Sequence, residues 1–391
     1  MQKNNYPNDW SRLKIKEMTQ RFLNGGTPST HVKEYWDGNI PWITGADAEQ
    51  RLTTTSRKSI TELGVKRSST NIVPKGNILL VTRTGVGKVS MSGVDVAISQ
   101  DLTGIIPRVD LVDVPYLYYQ LIRNISDLKS LAQGSIIQGI KREEVENIEI
   151  PLPELTEQRA IADILSTLDE AIAQSESLVR KYQSIKQGLM SDLLTRGVDE
   201  NGEPQKLSDI THIIMGQSPP GNTYNQDGKG LPLINGPVEF GERYPKAIYQ
   251  WTSLPLKKCQ PGDILLCVRG STTGRINIAQ DVYCIGRGVA AIREKEGKAV
   301  NGFVELLLMQ ISEKILSEAR GSGSTFPSIT SGRLSSTLVT VPDVSEQAQI
   351  VEIIESSSSM ISAEQKELEK LKLLKQGLMQ DLLSGQVRVK V

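Results

Sequence analysis

The sequence predicts an α+β protein in which two similar domains are separated by a long antiparallel two-helix coiled coil, with an approximate two-fold axis relating the halves. The first observation is a repeat: residues 157–195 and 346–384 both open on Glu-Gln and both end near Lys-Gln-Gly-Leu-Met-x-Asp-Leu-Leu. The offset of 189 is constant, without insertion or deletion. The second is a weaker repetition in the regions that precede these segments. The third is a three-four spacing of apolar residues within both segments.

The repeated segments predict two helices that cover each other's apolar faces. The spaced residues are Ile161, Leu165, Leu168, Ile172, Val179, Tyr182, Ile185, Leu189 and Leu193 in the first, broken at Ser175, and Ile350, Ile354, Ile361, Leu368, Leu371, Leu374, Leu378 and Leu382 in the second. Thr156 and Ser345 are expected to cap the helix N-termini. Because a perpendicular two-fold axis reverses direction, the helices should run antiparallel. The alternative left open is that each helix packs only on its own domain.

The regions before the helices predict one compact domain, used twice. Short strands of Val, Ile and Leu alternate with Gly, Pro and Asn turns, and each region has one helical stretch, at Pro115–Lys129 and Asn301–Arg320. Gly25 answers Gly216 at offset 191, whereas Gly76 answers Gly262 at offset 186, so the loops have diverged while the helices kept their length. The predicted divisions are a first domain at 1–150, a helical region at 151–202, a second domain at 203–340 and a second helical region at 341–391.

Composition excludes several classes of site. The chain has 391 residues, 45 Lys and Arg against 45 Asp and Glu, three cysteines without paired spacing and two lone histidines, which indicates neither a disulfide framework nor a zinc site. We find no export signal and no membrane-length apolar run, so a cytoplasmic location without membrane contact is expected. The zero net charge hides a division: residues 1–155 carry 19 cations against 17 anions and residues 203–343 carry 15 against 13. This small excess permits DNA binding at basic loops.

Motifs for catalysis are weak throughout. Thr84–Val89 resembles a phosphate loop, but that loop requires an earlier glycine where Thr82 stands and a hydroxyl where Val89 stands, so a hairpin turn is favoured. Asp263, Glu296 and Lys298 form a loose nuclease-like set that the first half lacks. Ser218-Pro219-Pro220-Gly221 lacks the polar first residue and the aromatic of an amino-methyltransferase motif. The chain therefore predicts no catalytic residues, no metal site and no cofactor of its own.

Basic and amide-bearing loops predict contacts to DNA. Loop cations at comparable places in the two halves suit phosphate contact, although a solvated surface would explain them equally simply. These are Arg51, Arg57, Lys58, Lys66 and Arg67 in the first half and Arg243, Lys246, Lys257 and Lys258 in the second. Arg83 and Arg269 follow a buried-looking strand in both copies and either form ion pairs or enter a groove. Lys88 and Arg275, at the ends of the matching turns, complete the predicted cationic set.

Residues that follow the shared Gly-Ser turns are candidates for contact with base edges: Gln138 and Lys141 in the first half, Thr325 and Ser328 in the second. Two glycines inside the helices, Gly188 and Gly377, each cost about 1 kcal/mol against alanine. Close approach of the opposing helix or of another subunit would explain them, and tolerated drift is the simpler explanation. A subunit interface is therefore predicted at Gly188, Leu189, Met190, Gly377, Leu378 and Met379.

Two domains with Gly-x-Thr/Ser-Pro openings and Pro-Gly-Asp-Ile-Leu-Leu or similar strands, each followed by Pro, Glu-Gln, a helix and Gly-Leu-Met, resemble the DNA-specificity subunit of type I restriction-modification enzymes. The resemblance covers essentially the whole chain. It implies two target-recognition domains, each reading half of a bipartite, asymmetric site in double-stranded DNA. It also implies that the helices bind two modification (methyltransferase) subunits, which bring S-adenosylmethionine, and that restriction subunits add ATP- and magnesium-dependent cleavage.

Two other functions stay open at this point. One is an enzyme, a DNA methylase or nuclease with cryptic motifs, which turnover by the pure chain would reveal. The other is a coiled-coil scaffold protein that binds partners without any preference in DNA sequence.

Overall fold

A computed structural model describes residues 6–83, 86–131, 140–199, 204–320 and 328–390. The chain divides into two compact units: unit 1 comprises residues 1–176 and 366–391, and unit 2 comprises residues 177–365. Glu176 and Gln365, where the divisions fall, are equivalent positions of the helical repeat, 189 apart. Each unit therefore combines one α+β domain with the first part of one long helix and the last part of the other. The predicted boundaries separate domains from helical regions along the sequence, whereas these units are groups of residues in contact. The predicted boundaries therefore stay a prediction.

Unit 1 contains two main sheets and helices on their flank. Its described strands are β1 (Ser11–Lys14), β2 (Thr19–Asn24), β3 (Trp36–Ile43), β4 (Leu52–Thr53), β5 (Lys58–Ile60), β6 (Ile72–Val73), β7 (Ile78–Val81), β8 (Val89–Ser92), β9 (Val96–Ile98), β10 (Leu102–Pro107) and β11 (Glu149–Leu152). Its helices are α1 (Glu62–Lys66), α2 (Val114–Leu131), α3 (Arg142–Glu146) and the start of α4 (Leu155–Asp199). One sheet has the order β2-β10-β7-β8-β4, the other β5-β3-β9-β6, and β1 pairs with β11.

Unit 2 repeats this plan. Its described strands are β12 (Gln205–Lys206), β13 (Thr211–Met215), β14 (Tyr224–Asn225), β15 (Leu231–Ile234), β16 (Trp251–Thr252), β17 (Ile264–Cys267), β18 (Ile276–Ile278), β19 (Cys284–Ile285), β20 (Val289–Glu294) and β21 (Leu338–Val339). Its helices are α5 (Leu207–Ile210), α6 (Asn301–Arg320), α7 (Ser331–Ser335) and the start of α8 (Val344–Ser384). The sheets have the orders β13-β20-β17-β18 and β14-β16-β15-β19, and β12 pairs with β21. The predicted α+β domain, used twice, is confirmed.

The matching glycines lie where the chain passes from the first sheet to the second. A Cβ on Gly25 would stand 1.8 Å from the Ser99 carbonyl oxygen, and a Cβ on Gly216 would stand 2.1 Å from that of Gly286. Since no side chain tolerates such a distance, only glycine fits there. Gly25 and Gly216 are therefore kept by packing of the backbone.

A buried glutamine fixes each long helix to its domain. Gln158 Oε1 accepts from the Asp113 N–H at 2.9 Å, and Nε2 donates to the carbonyls of Leu111 and Pro153 at 3.2 and 2.8 Å. Gln347 makes the same three bonds, from the Val300 N–H at 2.8 Å and to the carbonyls of Lys298 and Pro342 at 3.3 and 2.9 Å. The repeated Glu-Gln is thus a structural device, because each amide satisfies three buried backbone groups.

The long helices pack against each other. In unit 1, Lys375 Nζ lies 2.5 Å from Asp169 Oδ1 and Lys372 Nζ lies 2.7 Å from Glu176 Oε1, so residue numbers rise along α4 as they fall along α8. The helices are antiparallel there, and packing of each helix on its own domain alone is excluded. In unit 2, Leu194 of α4 and Ile350 and Ile354 of α8 enter one hydrophobic core.

The apolar seam follows unbroken heptads, which corrects two predicted positions. Counting in steps of three and four from Gln158 leads through Ile161, Leu165 and Tyr182 to Lys186. Ile185 is therefore exposed (46%), and so is Leu374 (51%) at the equivalent place in α8. Lysines occupy the seam instead, at 186 and 375. Lys375 places its stem in the seam and its ammonium on Asp169, which is how a lysine occupies such a position.

The predicted N-caps are wrong by two residues. α4 begins at Leu155 and α8 at Val344, so Glu154 and Asp343 precede the first helical residues. Asp343 Oδ1 accepts from the Glu346 N–H at 2.9 Å. The carboxylate thus makes the bond that was expected of Ser345, since an aspartate caps as well as a serine.

The C-terminal tail completes unit 1. Arg388 donates from Nε and Nη2 to the two carboxylate oxygens of the buried Glu157, at 2.7 and 2.8 Å, and from Nη1 to Asp9 at 3.0 Å. Its guanidinium also lies 5.5 Å from the ring centroid of Trp10. One side chain near the end of the sequence therefore joins the N-terminal segment to the start of α4.

Candidate nucleic-acid interface

Three segments meet at one end of unit 1. They are the chain after β3 (residues 44–57, which include β4), the described parts of the turn between β7 and β8 (residues 82–83 and 86–88) and the chain that returns after α2 (residues 140–141). Lys88 Nζ donates to the Gly45 carbonyl at 3.3 Å, which joins the turn to the loop. The Ile140 N–H donates to the Thr82 carbonyl at 2.9 Å, which joins the returning chain to the turn. We call this set the reading end of unit 1.

Unit 2 has an equivalent reading end, formed by the loop after β15 (residues 236–246), the turn between β17 and β18 (residues 268–275) and the chain at 328–329. Arg275 Nη2 donates to the carbonyls of Phe240 and Gly241 at 3.2 Å each. The Ile329 N–H donates to the Val268 carbonyl at 2.9 Å, and the backbone of Ser328 forms an isolated antiparallel β-bridge with Arg269. Thr84 and Gly85 of the hairpin turn predicted at Thr84–Val89 lie outside the described residues. The antiparallel pairing of β7 and β8 on either side agrees with a hairpin, and a strand follows where a phosphate loop requires a helix.

Several predicted cations are exposed at or near these ends. Arg83 and Arg269 lie beside the returning chain in their respective units, and Lys141 follows Ile140 directly. In unit 1, Arg57 is exposed, with Nε 3.7 Å from Asp47. Lys58 Nζ stands 5.4 Å from the centroid of the Trp36 ring. Such solvated cations are suited to phosphate contact.

The remaining exposed cations lie on other parts of the two domains. Lys66 and Arg67 end the short helix α1, where Lys66 Nζ is 3.9 Å from Glu62. Lys246 is the exception, since it is the last residue of the loop after β15 at the reading end of unit 2. Lys257 and Lys258 lie alongside β19. The Ile285 N–H donates to the Lys257 carbonyl, and Lys258 forms an isolated antiparallel β-bridge with Cys284. Contact of these residues with DNA stays a prediction.

Two of the predicted arginines are bound to helices of their own unit. Arg51 Nη1 donates to Ser166 Oγ at 2.6 Å, and Nη2 lies 3.6 Å from Glu170 of α4. Arg243 Nη2 donates to Glu305 of α6 at 2.8 Å. Burial raises the pKa of Glu305, and Arg243 acts in the opposite direction. These contacts support a structural role, because a guanidinium that holds a carboxylate has less capacity for phosphate.

The residues predicted to reach base edges are only partly visible. Gln138 and Thr325 lie outside the described residues. Lys141 is described and exposed, and its backbone N–H donates to Glu144 Oε2 at 2.8 Å, which closes the first turn of α3. Ser328 is partly buried beside Arg269.

The six residues of the predicted subunit interface have two kinds of environment. Leu189 and Met190 pack against the core of unit 2, and Leu378 and Met379 pack against the core of unit 1. Gly188 and Gly377 are open: within the described part of the chain, nothing lies within 4 Å of a Cβ built on either. Close approach by the opposing helix is therefore wrong as the reason for these glycines, which leaves another subunit or drift.

An exposed apolar stripe on each helix was missed. It consists of Ile164, Leu178 and Ile185 on α4 and Ile353, Met360 and Leu374 on α8. Ile164 and Ile185 correspond to Ile353 and Leu374 at the offset of 189, whereas Leu178 corresponds to Glu367 and Met360 to Ala171. Heptad counting could have found the stripe, because each of its positions directly precedes a seam position.

The nuclease-like set does not come together as a metal site. Asp263 is buried and bound by Arg293 through two bonds of 2.6 and 2.8 Å, and its Oδ2 also accepts from the Gln260 N–H. Among the described residues, no group of three or more His, Cys, Asp and Glu side chains is placed to hold a metal ion. Burial raises the pKa of the Cys259 and Cys267 thiols to about 12, so neither is a nucleophile near neutral pH. Within the same residues, no helix has the length and apolar character needed to cross a membrane.

Two copies of one α+β domain, in each of which a cation of one turn binds a neighbouring loop, define an internally duplicated protein. A family model described as the type I restriction modification DNA specificity domain matches residues 7–185 and again residues 200–373. Since the two matches cover most of the sequence, the chain belongs to the type I restriction-modification DNA-specificity family.

Individual relatives agree. The chain is 35% identical over 296 residues to a Methanocaldococcus jannaschii protein assigned as the type I restriction enzyme MjaX specificity subunit, covering 71% of this chain and 69% of the relative. It is 27% identical over 420 residues to the MjaIX specificity subunit of the same organism, covering 98% and 94%. A chain from a structure on complex assembly and conformational transition of the type I R-M system matches with a TM-score of 0.66 at 22% identity, covering 98% of this chain and 100% of that one, which shows a common fold.

Proposed function

We propose that this chain is the non-catalytic recognition subunit of a type I restriction-modification complex, in which each unit reads one half of a bipartite, asymmetric DNA site. The observation that carries the proposal is the duplicated reading end. The same three segments meet in both units, yet their side chains differ, with Lys88 in one and Arg275 in the other. Two unlike copies of one surface suit two unlike half-sites in double-stranded DNA.

The proposed partners are two modification (methyltransferase) subunits, bound along the long helices, with restriction subunits in the full complex. The stripe of Ile164, Leu178 and Ile185 supports this, because exposed apolar side chains at heptad spacing suit a further helix. Its near repetition on α8 suits a partner that binds twice. S-adenosylmethionine would be carried by the methyltransferase subunits, and ATP and magnesium would be required by the restriction subunits.

The proposal is tested with the purified chain, a type I methyltransferase subunit and DNA in the presence of labelled S-adenosylmethionine. We expect no methyl transfer from the chain alone. The combined proteins should methylate adenines only in sites that contain both half-sites at a fixed spacing. Turnover by the chain alone would support the cryptic methylase, and methylation of either half-site by itself would refute the bipartite reading.

The helical docking surface has a separate test. Replacing Ile185 and Leu374 by glutamate should abolish retention of the methyltransferase subunit on the immobilised chain, because a charge is then placed in each apolar stripe. Ala173→Glu, on an exposed position of α4 that faces away from the stripe, is the matched control and should leave retention unchanged. Retention by both variants would mean that the partner binds elsewhere. A chain that retains the methyltransferase but shows no preference among DNA sequences would favour the scaffold function instead.

A further inference from the structure

Arg275 binds the protein at the place where DNA contact was predicted. Its Nη1 donates to the Pro237 carbonyl at 3.4 Å, and its Nη2 donates to those of Phe240 and Gly241 at 3.2 Å each. Its guanidinium carbon also lies 5.9 Å from the Phe240 ring centroid. Three of the five N–H donors of the arginine are thus used on one loop.

That loop, residues 236–246, is fixed by further bonds. Glu239 is buried, and its Oε2 accepts from the Gly236 N–H at 3.1 Å, while its carbonyl accepts from the Lys246 N–H at 2.9 Å. The Phe240 side chain is inserted in the core between the sheets. Between these two anchored residues and Pro237 stands Val238, with 71% of its surface exposed. A single exposed valine is ordinary by itself, but this one stands on a loop that the bonds of Glu239 and Arg275 hold in one conformation.

Lys88 occupies the equivalent position in unit 1. The Lys88 carbonyl accepts from the Val81 N–H at 2.9 Å, as the Arg275 carbonyl accepts from Cys267 at 2.9 Å. A glycine with positive φ precedes each cation, Gly87 at 83° and Gly274 at 95°. Lys88 Nζ donates to the Gly45 carbonyl at 3.3 Å and to Glu49 at 3.2 Å, and Gly45 is the repeat partner of Gly236. In both units, therefore, the last cation of the turn braces the same loop.

We propose that Arg275 and Lys88 are positioning residues for sequence recognition: they fix the loop after β15 or β3 for contact with bases, and they do not contact phosphate. In unit 2 the displayed group is Val238, whose methyl groups suit the apolar surface of a thymine methyl in the major groove. The inference rests on the proposed function, because it concerns how the same surface reads DNA. It reverses the role that the sequence suggested for these two cations.

The test compares variants of the full chain, bound to its methyltransferase subunits, by DNA affinity at several salt concentrations. Arg275→Lys keeps the charge but loses the planar guanidinium, whose two terminal nitrogens together reach the Pro237, Phe240 and Gly241 carbonyls. It should lower the ratio of affinities for the correct and altered second half-site by about tenfold while the salt slope stays as in the wild type. Arg269→Ala is the control at an exposed cation of the same turn. It should reduce the salt slope by about 0.9, the value for one lost phosphate contact, and leave the ratio unchanged.

Further variants separate positioning from general damage. Val238→Ala should lower the same ratio, and the double variant with Arg275→Lys should lose no more than either single variant, because both act through one loop. Val238→Ala and Arg275→Lys should both keep discrimination at the first half-site, and Lys88→Met should abolish it. The inference is overturned if Arg275→Lys keeps full discrimination while Arg275→Ala reduces the salt slope by about 0.9. It is also overturned if Arg275→Lys weakens both half-sites equally with a lowered Tm. A wild-type complex without any sequence preference would instead refute the proposed function.

Discussion

The two units share a backbone plan but differ in the side chains at their reading ends. Gln158 and Gln347 make the same three bonds, and the glycines at 25 and 216 meet the same kind of carbonyl contact. At the reading ends, by contrast, Asp47 is bonded to Thr44 in unit 1, where unit 2 displays the exposed Val238. Groups that attach the helix to the domain have therefore been kept, whereas groups that face outwards have changed. This is the pattern expected if both units dock on one framework and recognise different sequences.

The largest effect expected is at the heptad seam. Leu165→Ala and Ile354→Ala remove equivalent, fully buried side chains from the two units, and each should lower the free energy of unfolding by about 2–5 kcal/mol. Ile185→Ala and Leu374→Ala, one residue before a seam position, should change it by less than about 1 kcal/mol because both side chains are exposed. Urea denaturation of the four variants measures this. A large loss of unfolding free energy in Ile185→Ala and Leu374→Ala would instead place these two residues in the seam, as the sequence predicts.

The buried glutamines offer a sharper comparison. Gln158→Leu and Gln347→Leu keep the side-chain volume but leave an N–H and two carbonyls unpaired, so each should cost about 3 kcal/mol of unfolding free energy. Gln174→Leu, on the exposed face of α4, is the control and should be nearly neutral. The measurement is again urea denaturation. Unequal costs at 158 and 347 would show that the two units do not depend on their helices to the same extent.

The smallest effect concerns the helical glycines. Gly188→Ala and Gly377→Ala should each raise the free energy of unfolding by about 1 kcal/mol, because alanine lowers the backbone entropy of the unfolded chain and nothing described lies near the added methyl group. If the glycines mark the methyltransferase interface, the same variants should weaken retention of that subunit. Stabilised variants that retain it fully would leave drift as the reason for the glycines and would remove them from the predicted interface.

Much of the fold follows from the sequence because the repeat is periodic. The constant offset and the three-four spacing predict the paired helices, and α6 occupies Asn301–Arg320 as expected. The errors are local. The sequence predicts Ile185 in the seam because it is apolar, whereas the heptad phase selects Lys186. At the equivalent position of α8, Lys375 is accommodated in the seam because its ammonium pairs with Asp169. The N-caps failed because a carboxylate and a hydroxyl serve equally well.

The candidate site was less predictable. Cations in loops can be identified from the sequence, but their partners cannot, since Arg51, Arg243, Lys88 and Arg275 all find acceptors far away in the chain. The apolar side chain that the structure displays at the second reading end, Val238, has no sequence pattern of its own. Its exposure depends on the bonds of Glu239 and on Arg275, some 40 residues downstream by the numbering.

The connection made by Arg388 has a consequence for biosynthesis. Unit 2 is one continuous stretch, residues 177–365, so every residue it needs is synthesised before residue 366. Synthesis of unit 1 begins first, but until residues 366–391 emerge it lacks the part of α8 that packs on α4. It also lacks Arg388, which connects Asp9 to Glu157. The nascent chain should therefore mature in the reverse of the usual order, in which N-terminal domains fold first. A chain that stops before residue 388 would leave the first-made domain as the incomplete one.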